Sequence, residues 1–406
     1  MIVNCKGMKG SLEIICSKSM AQRYMLCCYL AGEIDEALNI EERIGILSDD
    51  TRAMRDCIEA LSCPDHPAFL RCRESGTTLR TIMPIAAAQG RDVVILLEGS
   101  LASRPIAALE DELVDHGAVI RDEGSTIYVS GQIDTGEYRM SGHVSSQYTS
   151  GLLFALAALG GGGEVYVDTR PQSLPYIEMT IKALEMFGVK VNTSTRGRGL
   201  AFEMPAGQKL TWTKKTRELL EGDWSNGAMW LAANQLLGNT LKLSGLSNDS
   251  LQGDKMIASI LSLYERNDRK TISIDVGDTP DIVPAIALVA LTSSARTIIT
   301  NAGRLRYKES DRLATISRML TDLGATVHEG LAELEIEGSN GMLLSGTDEI
   351  INTESDHRMA MLAAFASIVC KKPVRMDHPE SVKKSYPMFF EEIVKLGGSV
   401  VNEDDC

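Results

Sequence analysis

The sequence lacks the features of membrane-spanning and secreted proteins. Its 406 residues contain no apolar run near the roughly 20 residues that a membrane helix requires, and runs such as 152–159 are far shorter. The N-terminus has no basic segment followed by a long apolar stretch, so it does not resemble a secretory signal. We therefore expect a cytoplasmic protein with no membrane partner.

Cysteine and histidine are present, but not at the spacings of a cross-linked or metal-binding protein. The nine cysteines include no C-x-x-C pair, and none lies between residues 73 and 369. The six histidines show neither H-x₃-H nor H-E-x-x-H spacing. This pattern predicts reduced thiols, no disulfide framework and no metal site.

Basic residues are also fewer than acidic residues. Lys and Arg number 41 and Asp and Glu 55, which gives a net charge of −14. This balance argues against nucleic acid and anionic membrane as partners, since both require a basic surface. Neither G-x-x-x-x-G-K-[ST] nor a complete G-x-G-x-x-G occurs, so the sequence predicts no standard nucleotide-phosphate loop. The length favours two or three domains.

What the sequence does contain is a sixfold repeat of pattern. Six times, a short turn rich in Ser, Thr, Gly or Asp opens a helix that is apolar nearly all round and is therefore predicted to be buried. A second helix follows each time, with apolar residues every three or four positions, and short β-rich runs lie between. The buried helices open at Ser17, Ser75, Ser145, Asp223, Thr279 and Ser355. The amphipathic helices span 50–61, 104–116, 174–187, 254–265, 312–323 and 386–396.

The six repeats divide naturally into two halves of three, with a crossover in the polar stretch 196–221. Because the first buried helix opens only at Ser17, the N-terminal strand could belong to the other half. Several amphipathic helices are followed by glycine, the usual stop before a strand. These glycines are Gly117, Gly188, Gly324 and Gly397.

The buried helices also suggest where chemistry lies. A helix N-terminus offers free backbone N–H groups and a partial positive charge, so several such ends together would attract an anion. Basic residues cluster at these ends and at the starts of the amphipathic helices, so a strongly acidic chain can still bind phosphate locally. They are Lys18, Arg23, Arg80, Arg104, Lys308, Arg312, Arg358 and Lys384.

Nine short motifs, in order along the whole chain, resemble the 5-enolpyruvylshikimate-3-phosphate (EPSP) synthase, or 3-phosphoshikimate 1-carboxyvinyltransferase, family. The motifs are SKSMAQR, ESGTTLR, RPI, VSSQ, SLPY, TPD, RYKESDR, SDHRMAM and KKSYP. The resemblance implies an α/β fold of the inverse α/β barrel type, with six βαβαββ units, three in each of two domains. One domain is expected to comprise 1–17 with 222–406, and the other 18–221.

The resemblance also implies the reaction. The enolpyruvyl group of phosphoenolpyruvate would pass to the 5-hydroxyl of shikimate-3-phosphate with release of phosphate, without metal or organic cofactor and in a monomer. Asp281 is expected to be the base, Glu309 the proton donor and Lys18 the stabiliser of the leaving phosphate, although these roles could be exchanged or shared with Lys308. Glyphosate is an expected inhibitor because Gly76 leaves room for close approach.

The expected ligand contacts are carried over from the motifs. Shikimate-3-phosphate would contact Lys18, Ser19, Arg23, Ser145, Ser146, Gln147, Ser173, Tyr176, Asp281 and Lys308. Phosphoenolpyruvate would contact Lys18, Gly76, Thr77, Arg104, Gln147, Arg312, Arg358 and Lys384.

The chain departs from the family pattern at several positions. Glu74 replaces an Asn- or Asp-like residue, Thr81 replaces Pro or Leu, and Cys16 replaces Gly or Pro. Arg304 stands where an Asn that contacts ligand is common, which adds a cation four residues before Lys308.

Two alternative functions are compatible with the same scaffold. The related enolpyruvyltransferase that acts on UDP-N-acetylglucosamine usually carries a catalytic Cys near the segment that reads EGSLASRPI here, where this chain has none. A non-catalytic anion-binding protein on the same scaffold would keep the cations and lose the acid–base residues, but Asp281, Glu309 and Lys18 are all present.

Overall fold

The computed structural model describes residues 1–64, 67–143, 145–265 and 270–402. The chain divides into two compact units. The discontinuous unit comprises Met1–Ile15 and Gly222–Cys406, and the inserted unit comprises Cys16–Glu221.

The described residues form helices and strands that alternate along the chain. The α-helices α1 to α14 are Lys18–Leu30, Ile34–Leu38, Glu41–Ile44, Asp49–Ser62, Gly76–Ala88, Ala107–Asp115, Ser146–Leu159, Leu174–Met186, Trp224–Leu236, Ile257–Glu265, Val283–Ala290, Arg312–Asp322, His357–Ala366 and Phe389–Lys395. The strands β1 to β18 are Ile2–Asn4, Gly10–Glu13, Ala68–Arg73, Val93–Leu97, Ala118–Asp122, Thr126–Gly131, Glu137–Met140, Gly163–Val167, Asn192–Arg196, Gly199–Met204, Leu241–Ser244, Thr271–Asp275, Arg296–Thr300, Thr326–Glu329, Leu334–Glu337, Ile350–Ile351, Val374–Met376 and Ser399–Val401.

The six buried helices predicted from the sequence are confirmed as α1, α5, α7, α9, α11 and α13. Side-chain caps fix where several of them begin. Ser75 accepts a hydrogen bond from the N–H of Thr78 at 3.4 Å, and Asp223 accepts one from Asn226 at 2.7 Å. The amphipathic helices are confirmed as α4, α6, α8, α10, α12 and α14. The glycines predicted to follow four of these helices all have positive φ, between 89° and 107°.

Among the described residues, four four-stranded sheets share one pattern of strand directions. In each, a parallel pair is extended by an antiparallel pair, as in the order β3-β4-β6-β5, where β3 and β4 run parallel and β6 is antiparallel to both β4 and β5. The orders β7-β8-β10-β9 and β12-β13-β15-β14 repeat this arrangement. The mixed α/β fold expected from the sequence is therefore present in both units.

The N-terminal strand completes the fourth of these sheets. In the order β16-β17-β1-β18, β1 pairs antiparallel with β17 and β18, and Ile2 lies opposite Arg375 and Val401. The first strand of the chain thus pairs with the last described strand, β18, in the discontinuous unit. Strand β2 pairs in parallel with β11, with Gly10 opposite Leu241.

The other two repeats do not form the expected four-stranded sheet among the described residues. The repeat of α9 and α10 has only the two-stranded sheet β11-β2, and that of α1 and α4 has the short helices α2 and α3 where a strand was expected. In both cases the amphipathic helix is followed almost directly by the next strand, β3 or β12. A chain segment this short cannot form the closing hairpin.

A close backbone contact sets the spacing of two buried helices in the inserted unit. Pro84 lies inside α5 and has no N–H to offer the carbonyl of Arg80 one turn earlier. Gly151 of α7 lies against that carbonyl, so closely that any added Cβ would overlap it. Gly151 therefore allows α5 and α7 to approach each other at the level of Arg80.

Candidate active site

In the inserted unit, the starts of α5 and α7 meet through a hydrogen-bond chain. Arg80 Nη1 donates to Gln147 Oε1 at 2.7 Å, and Gln147 Nε2 donates to Thr77 Oγ1 at 2.8 Å. A Cβ at Gly76 would lie 3.0 Å from Arg104 Nη1. Four residues predicted to contact phosphoenolpyruvate, Gly76, Thr77, Arg104 and Gln147, therefore lie together around Arg80.

Lys18 opens α1 and is held by a partner that the sequence did not identify. Its Nζ lies 2.7 Å from Asp50 Oδ2, and the two side chains are 18% and 9% exposed. Gln22, one turn along α1, donates to the backbone carbonyl of Asp50 at 3.0 Å. Asp50 thus orients a predicted catalytic cation, and its only signal in the sequence is its place in the acidic start of a helix.

Arg23 is buried and directed at protein acceptors. Its Nε donates to Thr180 Oγ1 at 2.9 Å, its Nη1 to the carbonyl of Ser19 at 2.8 Å and its Nη2 to the carbonyl of Tyr176 at 2.7 Å. Burial lowers the pKa of Arg23 to about 10, and Tyr176 and Cys27 oppose that shift. Arg23 joins two predicted ligand contacts, Ser19 and Tyr176, to each other.

The predicted phosphate-binding serines lie at two helix starts. Ser145 caps α7 by accepting from the N–H of Gln147 at 3.3 Å, and Ser146 is its first residue. Ser173 precedes α8 with φ of 56°, a left-handed conformation that is unusual outside glycine, and is 3% exposed. The segments that lead to these serines are joined, since the N–H of Gln172 donates to the carbonyl of Gly142 at 3.1 Å.

The discontinuous unit contains a cluster of buried charges centred on Arg312. Its Nε and Nη2 donate to the two oxygens of Asp356 at 2.7 and 3.2 Å, its Nη1 to Asp281 at 2.8 Å, and its Nη2 also to Glu309 at 2.8 Å. Arg312 is 2% exposed and Asp356 is fully buried. The mutual attraction of these charges is strong here because water is largely excluded.

Two lysines complete this cluster. Lys308 Nζ donates to Asp281 Oδ1 at 3.0 Å, and Lys384 Nζ lies 3.6 Å from Glu309 Oε1. The two predicted acid–base carboxylates are therefore bridged by Arg312, and each has a lysine of its own.

The charges of the cluster shift one another's pKa values. Burial favours a higher pKa for Asp281, but the charges of Lys308, Arg312 and Arg358 outweigh it and hold that pKa well below its usual range. Burial lowers the pKa of Lys308, and the nearby cations Arg312 and Arg304 act in the same direction, whereas Asp281 opposes them. Arg304, the departure from the family pattern, thus acts electrostatically on Lys308.

Arg358 is held at the start of a different buried helix. Its Nη1 donates to the carbonyl of Ser225 at 2.8 Å and to Asn226 Oδ1 at 3.0 Å. Asn226 also accepts from Ser385 Oγ at 3.4 Å, and Ser385 is the residue after Lys384. The start of α9 thus holds Arg358, a cation that was predicted to bind phosphoenolpyruvate.

The structure groups predicted residues around Arg80 in the inserted unit and around Arg312 in the discontinuous unit, and it adds residues that were not predicted. Asp356, Asp50 and Asn226 hold the predicted cations, yet none was predicted as a site residue. Asp356 carries a local signal, since it caps α13 by accepting from the N–H of Arg358 at 2.9 Å. Its pairing with Arg312, 44 residues away, has no counterpart in the sequence pattern.

The described residues contain neither a metal-binding cluster nor a helix that could span a membrane. No group of three or more His, Cys, Asp or Glu side chains in the described part of the chain is placed to hold a metal ion. Of the helices in the described ranges, none is both long and apolar enough to cross a membrane.

The chain is similar to known proteins over nearly its whole length. Residues 3–393 match the family model for EPSP synthase (3-phosphoshikimate 1-carboxyvinyltransferase). A 3-phosphoshikimate 1-carboxyvinyltransferase from Clostridium kluyveri is 34% identical, with 98% of this chain and 97% of that protein covered. A protein of the same name from Clostridioides difficile is 33% identical, with coverage of 97% and 96%.

A solved structure extends the likeness to the fold. The EPSP synthase from Acinetobacter baumannii has a TM-score of 0.74 at 20% sequence identity, with 99% of each chain covered. The expected fold class is thereby confirmed. The match over nearly the whole length, together with relatives above 30% identity, shows that this chain is a transferase that belongs to the EPSP synthase (3-phosphoshikimate 1-carboxyvinyltransferase) family.

Proposed function

We propose that this chain transfers the enolpyruvyl group of phosphoenolpyruvate to the 5-hydroxyl of shikimate-3-phosphate, in the shikimate pathway to chorismate and the aromatic amino acids. The observation that carries the proposal is the buried cluster in which Arg312 bridges Asp281 and Glu309, with Lys308 and Lys384 beside them. Such a cluster supplies both proton-transfer groups and anion-binding groups, and this reaction needs both.

The proposed reaction is an addition followed by an elimination. The 5-oxygen of shikimate-3-phosphate forms a bond to C2 of phosphoenolpyruvate as it loses its proton, and C3 gains a proton to become a methyl group. The bond from C2 to the phosphate oxygen then breaks, C3 loses a proton, and inorganic phosphate leaves. The steps require an acid, a base and stabilisation of the phosphate, so we propose no metal and no organic cofactor.

Asp281 is proposed as the base at the 5-hydroxyl. The cations beside it keep it ionised, which is the form that accepts a proton, but their charge also makes it a weak base. Anionic substrates near Lys308 and Arg312 would offset these charges and raise the pKa of Asp281 when both ligands are bound. Glu309 is proposed as the donor to the methylene carbon, with exchange of the two roles or participation of Lys308 kept as alternatives.

The remaining roles concern the two anions. We propose that Lys18, oriented by Asp50, stabilises charge on the leaving phosphate. Arginine suits the carboxylate and phosphate of phosphoenolpyruvate because its planar fork can donate two parallel hydrogen bonds. The proposed phosphoenolpyruvate contacts are Lys18, Gly76, Thr77, Arg104, Gln147, Arg312, Arg358 and Lys384.

The other substrate is proposed to bind mainly through hydroxyl groups and helix starts. Ser145 and Ser146 open α7 and Ser173 precedes α8, and we propose that these serines contact the 3-phosphate, since a helix start favours a bound anion. The further proposed contacts are Lys18, Ser19, Arg23, Gln147, Tyr176, Asp281 and Lys308. Family precedent also supports a cytoplasmic monomer and competition between glyphosate and phosphoenolpyruvate.

Phosphate release with each substrate omitted in turn tests the proposed reaction. We expect release only when phosphoenolpyruvate and shikimate-3-phosphate are both present. Release that depends on UDP-N-acetylglucosamine instead, or no turnover with any pair, would overturn the proposal.

A further inference from the structure

A turn in the discontinuous unit clamps the start of α9. Gln252 Oε1 accepts from the N–H of Trp224 at 3.0 Å, and Gln252 Nε2 donates to the carbonyl of Gly222 at 2.8 Å. Two residues later, Asp254 accepts a hydrogen bond from the hydroxyl of Ser225. Asp254 is 2% exposed, so this carboxyl group is isolated from solvent.

The same helix start also contacts Arg358. The carbonyl of Ser225 and the side-chain oxygen of Asn226 both accept from Arg358 Nη1, at 2.8 and 3.0 Å. Ser225 therefore contacts Asp254 through its hydroxyl and Arg358 through its carbonyl. Ser225 thus links Asp254 to Arg358 through two hydrogen bonds.

We propose that Asp254 is a positioning residue for Arg358, acting through Ser225, and that its negative charge opposes the binding of an anion at Arg358. The inference rests on the proposed function, in which Arg358 binds phosphoenolpyruvate. The sequence placed residue 254 only at the start of a surface helix and assigned it no role in the site.

The electrostatic surroundings of Asp254 predict a pH dependence that can be measured. Burial raises the pKa of Asp254 to about 7, the charges of Asp281 and Asp223 act in the same direction, and the Ser225 hydrogen bond and the charge of Arg358 oppose them. Asp281 lies in the 3₁₀ turn Pro280–Ile282, Asp223 and Ser225 lie at the start of α9, and Arg358 lies in the first turn of α13. Asp254 therefore ionises near neutral pH.

The direction of the pH dependence follows from the linkage between anion binding at Arg358 and protonation of Asp254. An anion bound beside Arg358 disfavours a second negative charge nearby, so it raises the pKa of Asp254. The affinity for phosphoenolpyruvate should accordingly fall as pH rises above about 7, because ionised Asp254 must then be accommodated or protonated. A permanently neutral side chain at this position would remove that part of the pH dependence.

The test compares KM for phosphoenolpyruvate in Asp254→Asn and the wild type at pH 6 and pH 8.5, with saturating shikimate-3-phosphate. Asn keeps the shape and removes the charge. We expect equal KM values at pH 6 and a KM about three- to tenfold lower in the variant at pH 8.5, which corresponds to a pKa change of about half to one unit on binding. Using the ratio of the two proteins cancels the titration of the substrate's own phosphate.

Asp249→Asn is the matched control, since Asp249 is exposed and lies in the same segment of chain. Its KM should equal that of the wild type at both pH values. The ratio of the KM of Asp254→Asn to the KM of the wild type should differ between the two pH values. A ratio that is the same at both pH values, whatever its size, would overturn the inference, because a purely structural role predicts no pH dependence.

A second variant covers the case in which Asp254→Asn fails to fold. Ser225→Ala removes the hydroxyl that lowers the pKa of Asp254 but keeps the carbonyl that holds Arg358. We expect the rise of KM to move to higher pH, and an unchanged midpoint would refute the role of Asp254. If the wild type shows no turnover with these substrates, the proposed function fails, whereas normal turnover without these pH effects rejects only the role of Asp254.

Discussion

The buried ion pair between Arg312 and Asp356 gives the sharpest test of how the site is held together. In Asp356→Asn, an amide replaces the carboxylate that accepts from Arg312 at 2.7 and 3.2 Å. Asn remains a good N-cap, so the cap of α13 is retained and the change acts mainly on the ion pair. Removing one partner of a buried pair costs about 3–5 kcal/mol because the other charge is left in a dry environment.

Arg312 keeps two other carboxylates in this variant, Asp281 and Glu309, each at 2.8 Å. We therefore expect the lower end of that range, a loss of about 3 kcal/mol in the free energy of unfolding. At about 2–4 °C per kcal/mol for a domain of 150–250 residues, Tm of the discontinuous unit should fall by about 6–12 °C. Differential scanning calorimetry at pH 7 measures the shift.

A surface ion pair in the same unit provides the control. Glu354 pairs with Arg318 at 2.9 Å, with the side chains 40% and 44% exposed, so Glu354→Gln should cost at most about 1 kcal/mol. A loss in Asp356→Asn no larger than in this control would show that Asp281 and Glu309 suffice to satisfy Arg312. That result would refute the view that Asp356 anchors the cluster.

Three further predictions concern the chemistry and its surroundings. Asp281→Ala or Glu309→Gln should lower kcat about 10²-fold or more in the phosphate-release assay, and wild-type turnover in both would contradict their acid–base roles. Gly76→Ala places a methyl group 3.0 Å from Arg104 Nη1, so the guanidinium must shift. We therefore expect a higher KM for phosphoenolpyruvate and weaker inhibition by glyphosate. An unchanged inhibition constant for glyphosate would disprove the placement of Gly76 beside the ligand. Burial raises the pKa of Glu110 from 4.5 to about 7, so the native state binds that proton more tightly and the wild type loses stability as pH rises through this window. Thermal melts should show that Glu110→Gln is more stable than the wild type by about 1 kcal/mol at pH 8, a figure reduced for the partial exposure of Glu110. Near pH 4 the two proteins should be equally stable. A stability difference that does not depend on pH would contradict the raised pKa of Glu110.

Much of the fold could be predicted because its signals are local. The apolar helix that begins after Ser75 and the one that begins after Asp223 each combine a capping residue with a continuous apolar stretch, and both formed where expected. The residues of the candidate site could also be named, because nine motifs along the chain resemble those of the family. The number of strands in each repeat could not be predicted, because it depends on how much chain remains between a helix and the next strand.

The partners within the site were beyond the reach of sequence patterns. Lys18 meets Asp50, and Arg358 meets Asn226 from a position 132 residues away in the chain. Nothing in the local sequence around either cation specifies these partners. Their absence from the predicted set follows from the physics of folding, in which distant segments meet only when helices pack.

The sixfold alternation of buried and amphipathic helices could be predicted, together with the caps and glycines that bound these helices, because each depends on contacts within one or two turns of chain. The cations and carboxylates of the candidate site could be named from their motifs. Three features arise only on folding: Arg312 bridges Asp281, Glu309 and Asp356, β1 completes a sheet with β17 and β18, and Asp254 comes close enough to Asp281 to be affected by its charge. Charge states and strand partners depend on burial and on distances between remote segments, and these quantities exist only once the chain has folded.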